Sequence, residues 1–412
     1  MVCGLGVSSA GRLAPSLAGR GPTLHTCPTG IVDCRDGHVL AWASTPAPAR
    51  RRLGGLTLTT DLGQLQSVEW EDPADAIERC YELGWTDGLP VVPPTVELVQ
   101  RFLDRAGLSA DAVVGSLPER RRTVTAGKAA ASAVMAGCLP EYFPVVVAAT
   151  RAMLDPAFNL VGPSSSLGGA GILVIVNGPV VRELGMNSRN NLFGPGNRAN
   201  ATVGRSLRLI LMNACAAVPG LFDRSVLGHP GKYTFCIAEA DTETHWRPLH
   251  AERGFAAGES AVTVFACEAP RQVRTRGGPD VIASTVADVA SSLGTSMCTV
   301  GSTGDTSSLV RQGEIAVVVS GQAKVWDGWT KADFRAAVHP RLRRSIADLK
   351  RAEEVAGEVE AGDEERFVSL VADPEDILVV FAGGEERTMC AVMPSWGPKV
   401  ASTAVTKAVV VA

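Results

Sequence analysis

The sequence predicts an α/β protein with a buried, mostly parallel or mixed sheet flanked by helices, and a second, smaller α/β unit at the C-terminus. First, residues 171–176 form an apolar run without alternation, which is typical of a strand buried on both faces. Second, strand and helix patterns alternate after residue 278. Third, 46% of the 412 residues are hydrophobic, which is enough for a large core.

The chain divides into three predicted regions. Residues 1–66 are rich in Gly, Ser, Pro and Arg and lack periodicity, which indicates a disordered extension or a start codon assigned too early. Residues 67–270 are expected to form the main α/β domain, which carries the site, and residues 271–412 the C-terminal α/β domain.

The elements follow from capping signals and apolar periodicity. Pro73 is expected in the first turn of a helix that Gly84 ends, and Thr95 caps a second helix that ends at Gly107. Further helices are predicted over 125–137, 140–154, 199–215, 280–293 and 330–355. Further strands are predicted over 233–238, 261–265, 315–320, 377–381, 388–393 and 404–411.

Composition excludes several classes of protein. Net charge is −4 and aromatic residues make up 5%, so neither nucleic acid nor an anionic membrane is an expected partner. No apolar run approaches the ~20 residues of a membrane span. The ten cysteines show no CxxC or other metal spacing, which is typical of a reducing, cytoplasmic protein. No nucleotide-binding glycine motif is present and no cofactor is evident.

The stretch from 187 to 205 is the strongest candidate for substrate binding. It places Gly194-Pro195-Gly196 directly before a predicted helix, where free N–H groups and the helix dipole favour an anion. Gly204 within that helix would allow close approach of another backbone. The alternative is an ordinary loop with capping amides. The predicted substrate-binding residues here are Asn187, Asn191, Asn197 and Arg198.

Two cysteines are candidate nucleophiles. Cys138 precedes a predicted helix start at Pro140, a position that can stabilise a thiolate. On the predicted 233–238 strand, Lys232 would share a face with Cys236 and lower the pKa of its thiol, and Lys232 is also a candidate substrate contact. Either cysteine could instead be a small buried hydrophobe.

A histidine-rich stretch and one turn complete the candidates. His250 could act as an acid or base, or be a hydrogen-bonded structural residue, and Arg253 is a candidate substrate contact. His245, His250 and Glu252 could bind a metal, but their spacing matches no standard pattern, and no metal is predicted. Asp87 in its Trp-Thr-Asp-Gly turn is either a turn-forming residue or a catalytic acid or base.

Six ordered segments carry a resemblance to a large bacterial family, from about residue 67 onward. They are WTDGLPVVPPT (85–95), MAGCLPEYFPVV (135–146), VNGP (176–179), FGPGNRANATVGR (193–205), PGKYTFCIAE (230–239) and PLHAERGF (248–255). This family is often found beside, or fused to, small selenoprotein-like proteins named for a Sec-Gly-Ser-Cys motif. The resemblance implies sulfur or redox chemistry with a thiol or selenol partner. The chain departs from the family pattern where Gly321-Gln322-Ala323-Lys324 replaces a Pro-Glu-His-Ala segment.

Two functions from different classes follow from the sequence. In the first, the chain is an enzyme that acts on a small anionic metabolite by thiol-assisted or acid/base chemistry, with loops between 177 and 254 forming the site. In the second, it is a non-catalytic partner that binds a ligand for a separate redox or thiol subunit. Association into an oligomer is compatible with both.

Overall fold

An eight-stranded mixed sheet forms the centre of the molecule, as the sequence predicts. The computed structural model describes residues 73–294, 299–300 and 310–411. The extension predicted over 1–66 lies outside these residues. The described helices are α1 Pro73–Glu82, α2 Val96–Ala106, α3 Ala126–Ala136, α4 Phe143–Met153, α5 Val161–Ser165, α6 Val180–Glu183, α7 Arg198–Asn213, α8 Leu249–Glu252, α9 Pro279–Ala290, α10 Lys331–Val338 and α11 Ile346–Arg351.

The strands that build the sheet come from both halves of the chain. They are β3 Gly171–Asn177, β4 Cys236–Ala238, β5 Ala261–Cys267, β6 Arg271–Arg274, β9 Gly313–Val319, β12 Ile377–Phe381, β13 Met389–Pro398 and β14 Val405–Ala408. Three separate two-stranded pairings contain β1 Val113–Leu117 with β2 Arg122–Thr125, β7 Thr299–Val300 with β8 Val310–Arg311, and β10 Arg343–Ser345 with β11 Phe367–Ser369.

The sheet order is β12-β9-β13-β5-β3-β4, with β14 beside β5 and β6 beside β13. The β3–β4 and β9–β12 pairs are parallel, and the other pairs of the sheet are antiparallel. The sheet therefore consists of two strand groups, which β13 and β5 join through the single register pair Ser395–Cys267. The predicted division of the chain at residue 270 stays a prediction.

The two strand groups face each other across a shared apolar core. Alternate residues of β9, such as Ala316 and Val318, pack in one cluster with Leu173 and Ile175 of β3, and this cluster contains no residue of the long helices. The intervening β9 residues pack in a second cluster with α9 and α10. Helices α4 and α7 contact the β3–β5 group. Helices thus flank the strands on both outer sides.

The outermost strands meet at one end of the sheet. The N–H group of Ala240, just after β4, donates a 2.8 Å hydrogen bond to the carbonyl of Phe381 at the end of β12. The N–H group of Gly383 donates to the carbonyl of Ser188 at 2.8 Å. These two backbone hydrogen bonds form a seam between the two strand groups. The seam brings the carboxyl ends of β3, β4, β9 and β12 to one region of the molecule.

Capping residues fix most of the predicted helices. Thr95 and Thr125 accept N-terminal amide hydrogen bonds, and Gly107 and Gly137 end the same two helices in the left-handed conformation. Asn197 caps α7 by accepting a hydrogen bond from the amide of Asn200. These boundaries confirm the sequence predictions for α2, α3 and α7.

Two sequence predictions are wrong. The single helix expected over 330–355 is divided into α10, a 3-10 turn, β10 and α11, because Pro340 cannot continue the helical hydrogen bonding. The strand expected over 233–238 begins only at Cys236. The Pro230–Lys232 segment forms a 3-10 turn, in which His229 Nδ1 accepts a hydrogen bond from the Gly231 amide. No helix in the described ranges is long and apolar enough to cross a membrane.

Candidate functional site

A cleft of about 640 Å³ opens at the carboxyl ends of β3 and β4. Its walls are the Gly178 turn, helix α6, the loop 185–189 and the segment 239–243. Ligand sites in α/β proteins commonly lie outside the carboxyl ends of parallel strands, and small-molecule pockets usually measure ~300–1,000 Å³. The cleft therefore has the position and the size of a metabolite site.

The Gly178 turn orients a carboxylate in the cleft. Its φ of +87° and the 2.2 Å distance from an added Cβ to the Glu259 carbonyl oxygen require glycine here. The Gly178 N–H donates a 2.8 Å hydrogen bond to Oδ2 of Asp241. Arg182 lines the same cleft, is exposed, and has no ion-pair partner among the described residues. A fixed carboxylate and an unpaired guanidinium thus line one cleft.

Ion pairs hold the loop 185–189 against neighbouring segments. Arg189 lies 2.8 Å from Glu243 and 2.6 Å from Glu385. Asn187 accepts a hydrogen bond from the Arg189 amide and donates one to the Asn190 carbonyl. Asn187 is the only one of the ten site residues predicted from the sequence that lines this cleft. The side-chain amide of Asn187 therefore makes its hydrogen bonds within the loop itself.

A buried ionic network forms the floor of the cleft at Glu239, which is 1% exposed. Its carboxylate accepts hydrogen bonds from Asn177 Nδ2 at 2.6 Å, the Leu249 amide at 2.8 Å and the Phe381 amide at 3.3 Å. Lys331 Nζ donates a fourth hydrogen bond to the Glu239 carboxylate, at 2.8 Å. Glu239 therefore joins β3, α8, α10 and β12, and its oxygen atoms are already occupied by donors.

Helix α8 lies beside this network and lines a second groove. His250 is fully buried, and neither ring nitrogen has a hydrogen-bond partner among the described residues. Glu252 forms a bidentate pair with Arg335, with both distances 2.8 Å. Arg253 donates to Thr406 Oγ1 and to the Ala404 carbonyl, each at 2.6 Å. Arg253 lines the second groove, of about 520 Å³.

The two candidate thiols lie close to each other in the interior beside α7. Burial raises the pKa of Cys138 to about 12, despite hydrogen bonds with Thr202 and Ser206. Burial also raises the pKa of Cys236, and the nearby Cys138 adds to this effect. Because the strand begins at Cys236, Lys232 does not share a strand face with it. The environment of both cysteines therefore favours the thiol over the thiolate.

We expect both thiols to be inert in the folded protein. Because burial raises the pKa of Cys138 to about 12, its thiol stays protonated at neutral pH. Iodoacetamide should label the two cysteines only after denaturant is added, as measured by mass spectrometry of the labelled peptides. Rapid labelling of Cys138 in native protein would restore the thiol mechanism.

The polar side chains at and before the start of α7 donate hydrogen bonds to backbone carbonyls of the protein itself. Asn197 donates to the Gly185 carbonyl at 2.7 Å, and Asn191 donates to the Pro195 carbonyl at 2.8 Å. Arg198 Nε donates a 3.0 Å hydrogen bond to the carbonyl of Gly137 at the C-terminal end of α3. A helix C-terminus carries partial negative charge. It therefore provides the electronegative partner that an arginine at the start of a helix needs.

Asp87 is fixed in a bidentate ion pair with Arg205, with both distances 2.8 Å. It also accepts a hydrogen bond from the Leu89 amide two residues later, which is the turn-forming role considered from the sequence. Arg205 donates further to the carbonyls of Leu89 and Pro90. The pair ties the turn after α1 to α7.

No group of three metal-binding side chains lies together in the described ranges. His245 contacts the Trp329 carbonyl instead. The fold and the cleft define an α/β protein with a metabolite-sized cleft at the carboxyl ends of β3 and β4. Comparison with protein-family models, curated proteins and solved structures finds no match to this chain. The family resemblance of the six segments therefore stays a prediction.

Sequence reasoning missed three residues that line the cleft, Arg182, Glu239 and Asp241. It also missed Lys331, which pairs with Glu239. One signal was available, because Gly178 and Asp241 each follow a predicted strand within a few residues. The rule that ligands lie beyond strand carboxyl ends would have selected both. Lys331 gave no such signal, since its contact with Glu239 spans 92 positions.

Proposed function

We propose that the chain is an enzyme that acts on a small anionic metabolite by acid/base chemistry in the carboxyl-end cleft. The observation that carries the proposal is the combination of an unpaired cation, Arg182, and an oriented carboxylate, Asp241, on the walls of one metabolite-sized cleft. A substrate anion would bind Arg182 through a charge-assisted hydrogen bond.

Asp241 has the role of the proton-transfer group. One of its oxygens is held by the Gly178 amide, and the other has no partner among the described residues. An acid or base needs a free oxygen within reach of the substrate and a fixed orientation. Glu239 is a positioning residue, because four donors already occupy its carboxylate.

The test is turnover of a metabolite extract, followed by mass spectrometry, for the native chain and three variants. Asp241→Asn should lower the rate about 100-fold or more with an unchanged melting temperature, which is the usual contribution of a general acid or base. Arg182→Gln should weaken binding about tenfold, corresponding to ~1.5 kcal/mol. Arg101→Gln on the exposed face of α2 is the matched control and should change neither the rate nor the binding.

Two results would reject this mechanism. One is a native chain that converts nothing in the extract, and the other is an Asp241→Asn variant as active as the native chain. If a metabolite binds but is recovered unchanged, the second function applies, namely delivery of a ligand to a separate redox or thiol subunit. The observation that favours it is that Cys138, Cys236 and His250 are buried and Asp87 is ion-paired.

A further inference from the structure

A further polar cavity, distinct from the cleft and from the second groove, lies at the opposite end of β3 from the cleft. It measures about 30 Å³ and its lining includes Ser164, Gly171, Arg208, Asp223 and Lys232. Gly171 is the first residue of β3, whereas the cleft begins after the last. A cavity of this size holds a group of only a few atoms, since about 10–15 Å³ suffices for one water molecule.

One carboxylate in this cavity is shared by two cations. Arg208 lies 3.1 Å and Lys232 lies 2.9 Å from Asp223. Burial alone would raise the pKa of Asp223, but hydrogen bonds from Ser225 and Lys232 and the charges of both cations hold it below its ordinary value. Asp223 is therefore ionised, and the three side chains together carry one excess positive charge.

Arg120 adds a second uncompensated charge directly behind Ser164, which is a residue of the cavity lining. Its guanidinium donates to Ser164 Oγ at 2.9 Å and to the Cys215 carbonyl at 3.1 Å. It lies 5.2 Å from the centre of the Phe222 ring. No carboxylate of the described residues lies within ion-pair distance of it. The position is partly buried, so the charge is weakly screened by solvent.

Two more cations surround Cys215 behind Arg120. Lys128 is 9% exposed, and the one partner of its Nζ atom among the described residues is the Thr123 carbonyl. Arg122 Nε is buried and has no hydrogen-bond partner among the described residues. Burial lowers the pKa of Lys128, and the charge of Arg122 lowers it further. A concentration of buried positive charge of this kind is costly unless a negative partner compensates it.

We infer that this cavity is a binding site for a small oxyanion, either a carboxylate or a tetrahedral anion such as phosphate. Arg208 and Lys232, which line the cavity, supply the cationic donors, and Arg120 adds positive charge from behind Ser164. Guanidinium and ammonium donors bind oxyanions through charge-assisted hydrogen bonds. The site is separate from the cleft, and its occupation would stabilise the packing of α5, α7 and the 223–232 segment.

The experiment measures melting temperature in phosphate, sulfate, acetate and chloride at equal ionic strength. For the native chain we expect phosphate, sulfate or acetate to raise the melting temperature by roughly 5 °C or more at saturating concentration. Chloride should leave the melting temperature unchanged. Arg120→Gln and, independently, Lys232→Gln should lose most of that increase. The variants Arg182→Gln in the cleft and Arg101→Gln on α2 should show the full increase in melting temperature.

The pattern across anions identifies the ligand chemistry. A larger effect of phosphate and sulfate than of acetate indicates a tetrahedral anion, and the reverse order indicates a carboxylate. The inference is overturned if chloride acts as strongly as the oxyanions, if no oxyanion stabilises the native chain, or if the folded Arg120→Gln and Lys232→Gln variants respond like the native chain. Loss of the effect in Arg182→Gln alone would place the anion in the cleft instead.

Discussion

Lys331→Met is expected to lower the free energy of unfolding by about 3–5 kcal/mol, the usual cost of removing one partner of a buried ion pair. The Lys331 side chain is 2% exposed and that of Glu239 is 0% exposed, with 2.8 Å between Nζ and Oε1. Methionine would replace the aliphatic stem but leave the Glu239 carboxylate buried without its cation. Urea denaturation, followed by tryptophan fluorescence, measures the loss.

A double substitution separates the ion pair from the packing of the side chains. Glu239→Gln combined with Lys331→Met removes both charges, so it should be less destabilised than Lys331→Met alone. The matched control is Lys324→Met, because Lys324 is exposed and should change stability by less than ~0.5 kcal/mol. Equal stability of Lys331→Met and Lys324→Met would show that the buried pair contributes nothing.

The position of this pair explains why the expected effect is large. Glu239 follows β4 and bonds to the amide of Phe381 at the end of β12, so the carboxylate bridges the seam between the two strand groups. The adjacent Ala240–Phe381 backbone bond closes the same seam. Loss of Lys331 therefore affects the floor of the cleft, and ligand binding there should weaken together with stability.

Local signals in the sequence were sufficient for several of the individual elements. Thr125 and Gly137 predicted both ends of α3, and the apolar run at 171–176 predicted β3, which is buried except for Ile172. These features depend on residues within one element, where capping geometry and periodicity act. The same reasoning failed over 330–355, where an apolar helical pattern outweighed the single break at Pro340.

The site was predicted less well because its contacts are long-range. Arg198 and Lys232 were both predicted to contact the substrate, and the sequence could not show which partners they have within the protein. Arg198 bonds to the carbonyl of Gly137, 61 positions away, and Lys232 pairs with Asp223 in a separate cavity. Burial of Cys138 and Cys236 likewise depends on the packing of α7 over them, which no local pattern reveals.

Gly204→Ala is expected to destabilise the protein by about 2–3 kcal/mol, although alanine is favoured over glycine by ~1 kcal/mol inside a helix. Gly204 lies in α7, and an added Cβ would be 2.4 Å from Thr234 Oγ1 and 2.7 Å from the Phe235 backbone nitrogen. This close approach of α7 to the segment before β4 is the role that the sequence predicts for Gly204.

The surrounding groups cannot move away easily. The Thr234 hydroxyl donates to the Ala201 carbonyl at 2.8 Å, and the Phe235 carbonyl accepts from Val174 of β3 at 2.8 Å. Relief of the contact would therefore shift α7 or break hydrogen bonds at the edge of the sheet. The matched control is Gly258→Ala, because an added Cβ there meets nothing within 4 Å. Urea denaturation of both variants should show the loss only in Gly204→Ala, and a Gly204→Ala variant as stable as the native chain would mean that α7 does not pack this closely against Phe235.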